Sequence, residues 1–323
     1  MIFSPVRRYA PFKAALVAVA ALVGLSSLSA AEEVDGLTAT VLKRYYLMQV
    51  DARCHLLDAT TSLALKAGFL QARNTAIRNG KDMNVLGPYL DHVRAVAGRT
   101  DCASPQLSAE IATANSAVGT YRAMPRLDLT AGRAGWTADR SFATKAVWRL
   151  VQYQDTPSAN MALGLYGTLS GNHFAVMAHF ANGEKPYSAR LLVRDPHVMG
   201  SGLINPAAYA LSDTLPLGFD NSLTFIARAS SEQQAELRPT VKTNGAGFSL
   251  TGDYVGPQGP EDAFRFDFPT ASYRAIAVLD PREDIVVAFD FQDGTRYARF
   301  EVGDFITGLS YIALPSPYGN GLS

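Results

Sequence analysis

Cysteine is nearly absent from this 323-residue sequence, which contains only Cys54 and Cys102. Two cysteines and the neighbouring His55 fall short of the four ligands that a structural zinc site requires. No Cys-x-x-Cys pair occurs, so the spacing does not indicate a redox-active site. In an exported chain two cysteines allow one intramolecular pairing, and we predict a Cys54–Cys102 disulfide. Two separate buried thiols are the alternative.

An excess of charge of one sign is also missing, since 29 Lys and Arg residues balance 29 Asp and Glu residues. No basic run or stripe occurs, so the electrostatic footprint of a nucleic-acid-binding protein is absent. After residue 31 no apolar stretch is long enough to span a membrane. We therefore expect neither a nucleic-acid partner nor a membrane span in the mature chain.

Motifs for catalysis are absent as well. The chain has no Gly-x-Ser-x-Gly elbow, no phosphate loop and no dinucleotide fingerprint. None of the five histidines has the spacing of a metal-ligand pair, so we predict no metal site and no cofactor. The acidic clusters at 261–262 and 280–284 fall at predicted turns and are interpreted as solvated surface. Whether the protein is an enzyme stays open at this point.

The N-terminus has the pattern of an export signal. Basic residues at positions 7, 8 and 13 precede the twelve-residue apolar segment Ala14–Leu25, and small residues at 29–31 suit cleavage before Glu32. We predict that residues 1–31 are a signal peptide and that the mature chain reaches a bacterial periplasm. The general secretory route is favoured, because the residues around Arg7-Arg8 match the twin-arginine signal poorly. An uncleaved anchor is the alternative, although twelve apolar residues are short for a bilayer span.

Residues 32–125 are predicted to form a helical domain. Ala, Leu, Lys, Arg and Gln dominate, and the apolar residues recur with a helical period. Four helices are predicted, at 36–57, at 60–78, from Gly87-Pro88 to Gly98, and from Ser104-Pro105 onward. Short connections favour an antiparallel bundle, in which the predicted disulfide joins the end of the first helix to the start of the fourth.

Residues 146–323 are predicted to form a β-rich domain after a transition segment at 126–145. Near Val147 the apolar period changes to two, which predicts strands at 147–153, 161–169, 173–181 and 186–194. Gly171-Asn172 and Asn182-Gly183 have the composition of tight hairpin turns and predict an antiparallel meander. Further predictions are a short helix at 230–238, an inserted helix at 270–279, a hairpin around Asp293-Gly294 and a helix starting at Asp304. The predicted fold class is α+β, with a helical bundle followed by a mostly antiparallel sheet or sandwich.

A long irregular stretch, from about Asp195 to Asn221, interrupts the predicted strands. Loops of this length are uncommon in compact domains and often carry function. His197 is the first candidate site residue, with Asp195 and Ser201 close to it in sequence. A solvated turn explains the same residues without any function.

Three hypotheses about function follow from these patterns. The first is an exported, non-catalytic binding or envelope-associated protein, which holds an unidentified protein or small molecule with the loops at 195–221 and 252–262. The second is a periplasmic hydrolase, in which His197 meets a carboxylate and a hydroxyl group. The third is a structural subunit of an assembly.

Overall fold

The computed structural model of the chain describes residues 35–81, 83–129, 132, 134–141, 147–168, 171–181, 183–198, 222–235, 237, 242–244, 247–249 and 261–318. The predicted signal peptide and most of the 195–221 and 252–262 loops lie outside these residues. The described part confirms the α+β class, because a cluster of helices is followed by antiparallel sheets.

Four helices form the N-terminal part: α1 (Gly36–Cys54), α2 (Ala59–Arg78), α3 (Met83–Arg99) and α4 (Pro105–Ala123). Asp35, Asp58 and Ser104 cap α1, α2 and α4 by accepting backbone N–H groups with their side chains. The third helix was predicted to start at Gly87-Pro88, but it begins earlier and Pro88 lies inside it. The apolar residues of these helices form two clusters, one that joins α1, α2 and α3 and one that joins all four helices.

The β-rich part contains the following strands within the described residues: β1 (Arg126–Leu129), β2 (Trp136–Asp139), β3 (Val147–Thr156), β4 (Ala159–Thr168), β5 (Gly171–Phe180), β6 (Ser188–Arg194), β7 (Ser222–Ile226), β8 (Ala229–Ala235), β9 (Lys242–Asn244), β10 (Gly247–Ser249), β11 (Glu261–Phe268), β12 (Asp284–Phe291) and β13 (Gly294–Glu301). Two further helices are α5 (Thr270–Ile276) and α6 (Phe305–Ile312).

These strands build two antiparallel sheets and a separate small hairpin of β9 and β10. The larger sheet has the order β1-β2-β3-β4-β5-β11-β8, and the smaller sheet has the order β13-β12-β6-β7. The inner faces pack together through aromatic contacts, in which Phe180 meets Phe289 and Phe291, and Phe266 also meets Phe289. The sheets therefore form a sandwich.

Several local predictions in the β-rich part are wrong. Asn182-Gly183 was predicted to close a hairpin, but β5 belongs to the larger sheet and β6 to the smaller one. The hairpin predicted between the strands at 161–169 and 173–181 is present as β4 and β5, but Gly171 and Asn172, which were predicted to be its turn, already belong to β5. The helix predicted at 230–238 is strand β8, because pairing along β11 outweighs the local capping pattern. The segment at 126–145 contains the paired strands β1 and β2, and its role as a transition between domains stays a prediction.

Helix α6 connects the helical part to the sandwich. Its first residue, Phe305, packs against Trp136 with 5.0 Å between ring centroids, while Ile306 contacts the helical core. Arg140 makes a second connection, since its guanidinium donates to the backbone oxygens of Tyr121, Arg122 and Met124 at the end of α4. A cation suits that position, where the helix dipole is negative. The division of the chain into domains stays a prediction.

Candidate functional site

The predicted loop residues Asp195 and His197 lie in a turn directly after β6. The Asp195 carboxylate accepts the backbone N–H of His197 at 2.8 Å, and His197 is exposed. Ser201 lies outside the described residues. Hence the described part of this loop shows a backbone contact between Asp195 and His197, and the site around His197 stays a prediction.

The predicted disulfide between Cys54 and Cys102 is present. It joins the end of α1 to the connection between α3 and α4. At the same junction the Tyr46 hydroxyl lies 3.1 Å from the Thr100 hydroxyl, and Arg53 donates to the Thr100 carbonyl. The bond thus holds together the two ends of the α2–α3 hairpin, which is a structural role.

A group of buried charges lies at one end of the smaller sheet, next to the Asp195 turn. Arg194 donates from two nitrogens to the Glu283 carboxylate at 2.7 and 2.6 Å. The hydrogen bond to Glu283 raises the pKa of Arg194. Arg282 and Asp280 form a second two-point contact at 2.8 and 2.9 Å. Each charge has an opposite charge at contact distance, so the group is interpreted as a structural anchor of the strand ends.

A different arrangement occurs on the outer side of the larger sheet, which faces away from the sandwich core. There, large aromatic and charged side chains surround buried apolar residues. We call this surface the aromatic face and define it by Trp148, Tyr153, Tyr166, His173, Arg265 and Asp267. Strand register places these residues together, because Trp148, Tyr166 and His173 are cross-strand neighbours, and Tyr153, Ala162, Met177 and Arg265 form another row.

Side-chain contacts link the members of the aromatic face into a chain. Trp148 and Tyr166 meet edge to face with 5.2 Å between centroids. The Arg265 guanidinium lies 5.0 Å from the centre of the Tyr166 ring, a cation–π distance. Arg265 also donates to both oxygens of Asp267 at 2.7 and 3.1 Å. His173 lies 3.7 Å from the same carboxylate. Each side chain is therefore oriented by its neighbour.

The floor of the aromatic face consists of buried apolar residues. Ala162, Ala175 and Met177 are fully buried, and Gly164 pairs directly with Ala175. A Cβ atom on Gly164 would lie 1.9 Å from the backbone oxygen of Leu150, so a larger residue does not fit there without a backbone shift. Half-buried Trp148, Tyr153 and Tyr166 stand around this floor. These three rings pack against a buried apolar cluster that includes Met177, Ala235 and Leu237, and they lie beside a few fixed polar groups. Ligand sites combine aromatic and polar groups in the same way.

A second polar group lies at the far end of the same face. Asn160 is buried and donates to both carboxylate oxygens of Glu261 at 3.0 and 2.8 Å. Nδ1 of His179 lies 2.9 Å from the backbone oxygen of Asp262. Within the described ranges, no three His, Cys, Asp or Glu side chains come close enough to hold a metal ion.

The aromatic face was not predicted from the sequence. Its aromatic residues come from β3 and β4, and the Arg265–Asp267 pair comes from β11, which is distant in sequence. The sequence shows the alternation of residues within a single strand. It does not show the register between strands, which brings these residues together.

Comparison with known proteins finds no matching family model, no matching curated protein and no matching solved structure. Across the described ranges, no helix is both long and apolar enough to cross a membrane.

Proposed function

We propose that this chain is an exported, non-catalytic binding protein that holds a small ligand on the aromatic face. The observation that carries the proposal is a chain of four contacting side chains. Trp148 packs against Tyr166, Arg265 lies over the Tyr166 ring, and Asp267 accepts hydrogen bonds from Arg265. Side chains that are fixed before the ligand arrives lose little entropy when it binds. The ligand expected here has an apolar surface for the rings and hydrogen-bonding groups for the charged residues.

Export to the periplasm is the second part of the proposal. The basic, apolar and small-residue regions of residues 1–31 support it, and the Cys54–Cys102 disulfide is the bond that an oxidising compartment favours. N-terminal sequencing of the protein from periplasmic extract tests this part. A mature chain beginning at Glu32 is expected, and an intact residue 1 in the membrane fraction would contradict it.

Intrinsic fluorescence tests the binding site directly, because the chain has only two tryptophans. Trp148 belongs to the aromatic face, whereas Trp136 is buried in the core. Glycans, nucleosides, amino acids, dipeptides and polyamines would be titrated while the emission and the melting temperature are recorded. A ligand of the native state raises the melting temperature. The change in tryptophan emission that this ligand causes should be absent in the Trp148→Phe variant.

A matched pair of arginine variants locates the ligand. Arg265 lies over Tyr166 and pairs with Asp267, while Arg94 in α3 lies over Tyr45 and pairs with Asp91. Arg265→Ala should weaken the ligand response, and Arg94→Ala should leave it unchanged. A ligand that stabilises wild type and Arg265→Ala equally binds elsewhere and contradicts the proposal. No response to any compound of the panel would contradict its small-ligand form.

A further inference from the structure

Strand β8 forms one edge of the larger sheet. Its seven residues pair with β11 in a regular antiparallel register, from Ala229 opposite Asp267 to Ala235 opposite Glu261. In the part of the chain that the structure describes, no strand pairs with the other side of β8. Among the described residues, alternate backbone N–H and C=O groups on that side therefore have no strand to pair with.

Several features that usually protect a sheet edge are missing from β8. Edge strands are commonly blunted by proline, lysine, a bulge or very short length. The sequence of β8 is ASSEQQA, without proline or lysine, and its register shows no bulge. Ser230, Ser231, Glu232 and Gln234 are exposed. By contrast the edge strand β13 carries Arg296, which is paired to Asp293 at 3.0 Å.

Charge decides which kind of strand fits. Glu232 is the central residue of β8 and its one charged residue. Its partner Lys185 lies 3.2 Å away, but both side chains are about two-thirds exposed, so this pair is weak. If two copies of β8 paired antiparallel in full overlap, Glu232 would face Glu232, and like charges directly opposite are destabilising. A strand with a basic residue at that position would be attracted instead.

We propose that β8 binds an extended peptide segment of a partner protein, which adds as a further strand and places a lysine or arginine beside Glu232. Backbone hydrogen bonds supply most of the affinity in this mode of recognition, and the cross-strand charge pair supplies register. The inference rests on the backbone pairing of β8 and is independent of ligand binding on the aromatic face.

Selection of peptides on the full mature chain tests the proposal. Peptides that bind would be selected from a displayed library of random short peptides, once on the wild-type protein and once on Glu232→Lys. Asp91→Lys is the control, because it reverses a charge at an exposed position of α3. Wild type and the control should enrich peptides with a central lysine or arginine, and Glu232→Lys should enrich acidic ones. A fluorescein-labelled basic peptide should bind Glu232→Lys about fivefold more weakly than wild type.

Two proline variants show whether the peptide pairs with the edge. Successive backbone N–H groups of a strand point to opposite sides, and proline lacks this group. Of the variants Glu232→Pro and Gln233→Pro, one therefore removes a hydrogen bond to β11, and the other removes an N–H group that points away from the sheet. The variant with the higher melting temperature is the one that keeps its bonds to β11, and it should no longer bind the labelled peptide.

Three results would overturn the proposal. The first is that no peptide is enriched on the wild-type protein. The second is that Glu232→Lys enriches the same peptides as wild type. The third is that light scattering shows wild-type dimers, which dissociate in the proline variant that removes the edge donor. The last result would assign the edge to a second copy of the chain.

Discussion

Asp304 and Arg78 form the ion pair that ties the last helix to the second one. The Arg78 guanidinium donates to Asp304 at 2.8 Å, and both side chains are buried. Asn74 adds a hydrogen bond to the other carboxylate oxygen at 3.0 Å, and Thr307 adds one at 3.1 Å. Burial raises the pKa of Asp304, while Arg78 opposes that rise. The helical part therefore meets the sandwich through a fully hydrogen-bonded carboxylate.

Replacing Asp304 by asparagine should destabilise the protein by about 3–5 kcal/mol, because Arg78 would stay buried without its opposite charge. Urea unfolding followed by circular dichroism measures the change. Asp91→Asn is the control, since the Asp91–Arg94 pair is exposed, and it should change stability by less than about 1 kcal/mol.

A double variant separates the ion pair from simple packing. Arg78→Met with Asp304→Leu removes both charges and should cost less than Asp304→Asn alone, since no buried charge is left without a partner. Equal costs for the Asp304→Asn and Asp91→Asn variants would show that the buried pair does not hold the two parts together.

Gly308 allows α6 to approach the larger sheet closely. A Cβ atom at this position would lie 2.3 Å from a methyl carbon of Leu150, which is fully buried. Gly308→Ala should therefore destabilise the protein by about 1–3 kcal/mol through overpacking. Gly119→Ala in α4 is the matched control, because nothing lies within 4 Å of its Cβ position. That change should stabilise by about 0.4–1 kcal/mol.

Thermal unfolding of the two alanine variants checks this prediction. Adding Leu150→Val to Gly308→Ala should recover part of the lost stability, because it removes the methyl volume that the new Cβ meets. If Gly308→Ala unfolded at or above the wild-type temperature, the close approach of α6 would be refuted.

The helices were predictable because their boundaries depend on local chemistry. Ser104 followed by Pro105 marks the start of α4, and the Ser104 hydroxyl accepts the N–H of Leu107 at 3.3 Å. The cysteine pair was predictable because two cysteines leave one pairing. Pro88 misled the prediction of α3, since proline usually marks the first turn of a helix and here lies further inside it.

The sheets were less predictable because pairing depends on residues far apart in sequence. Asn182-Gly183 has the composition of a hairpin turn, yet composition does not decide which sheet receives the next strand. Ser230 and Gln233 have capping-box spacing, yet β8 gains its bonds from β11, about 30 residues further along the chain. The aromatic face depends on the same long-range pairing. The Asp195 and His197 prediction depended on sequence proximity, and the described contact between them involves the backbone.

Asp58 gives the helical part a pH-dependent contribution to stability. Its carboxylate accepts the backbone N–H of Thr61 at 2.9 Å and the Thr61 hydroxyl at 2.8 Å. The backbone hydrogen bond from Thr61 lowers the pKa of Asp58. A carboxylate with a lowered folded pKa stabilises the fold fully above its unfolded pKa of about 3.9, and this contribution is lost as pH falls through the folded value.

Asp58→Ala should therefore be less stable than wild type at pH 7, and the difference in the free energy of unfolding should become smaller as the pH falls below the unfolded pKa. Urea midpoints at neutral pH and at several values below the unfolded pKa measure it. Ser104→Ala removes a cap that does not ionise, so its effect should stay constant with pH. An Asp58→Ala effect that does not depend on pH would show that the charge of the cap is irrelevant.

Loss of the Cys54–Cys102 bond should lower the free energy of unfolding by about 4 kcal/mol, because the closed loop spans a sequence separation of 48. Urea unfolding with and without reductant measures the loss, and Cys54→Ser with Cys102→Ser serves as a control that reductant cannot affect. The reduced wild type and the double variant should unfold at the same midpoint. Hydrogen exchange should rise first around Arg53 and Thr100, whose contact lies beside the bond. An unchanged midpoint after verified reduction would mean that the α1–α2–α3 packing alone fixes this end of the bundle, and the bond would then add nothing to its stability.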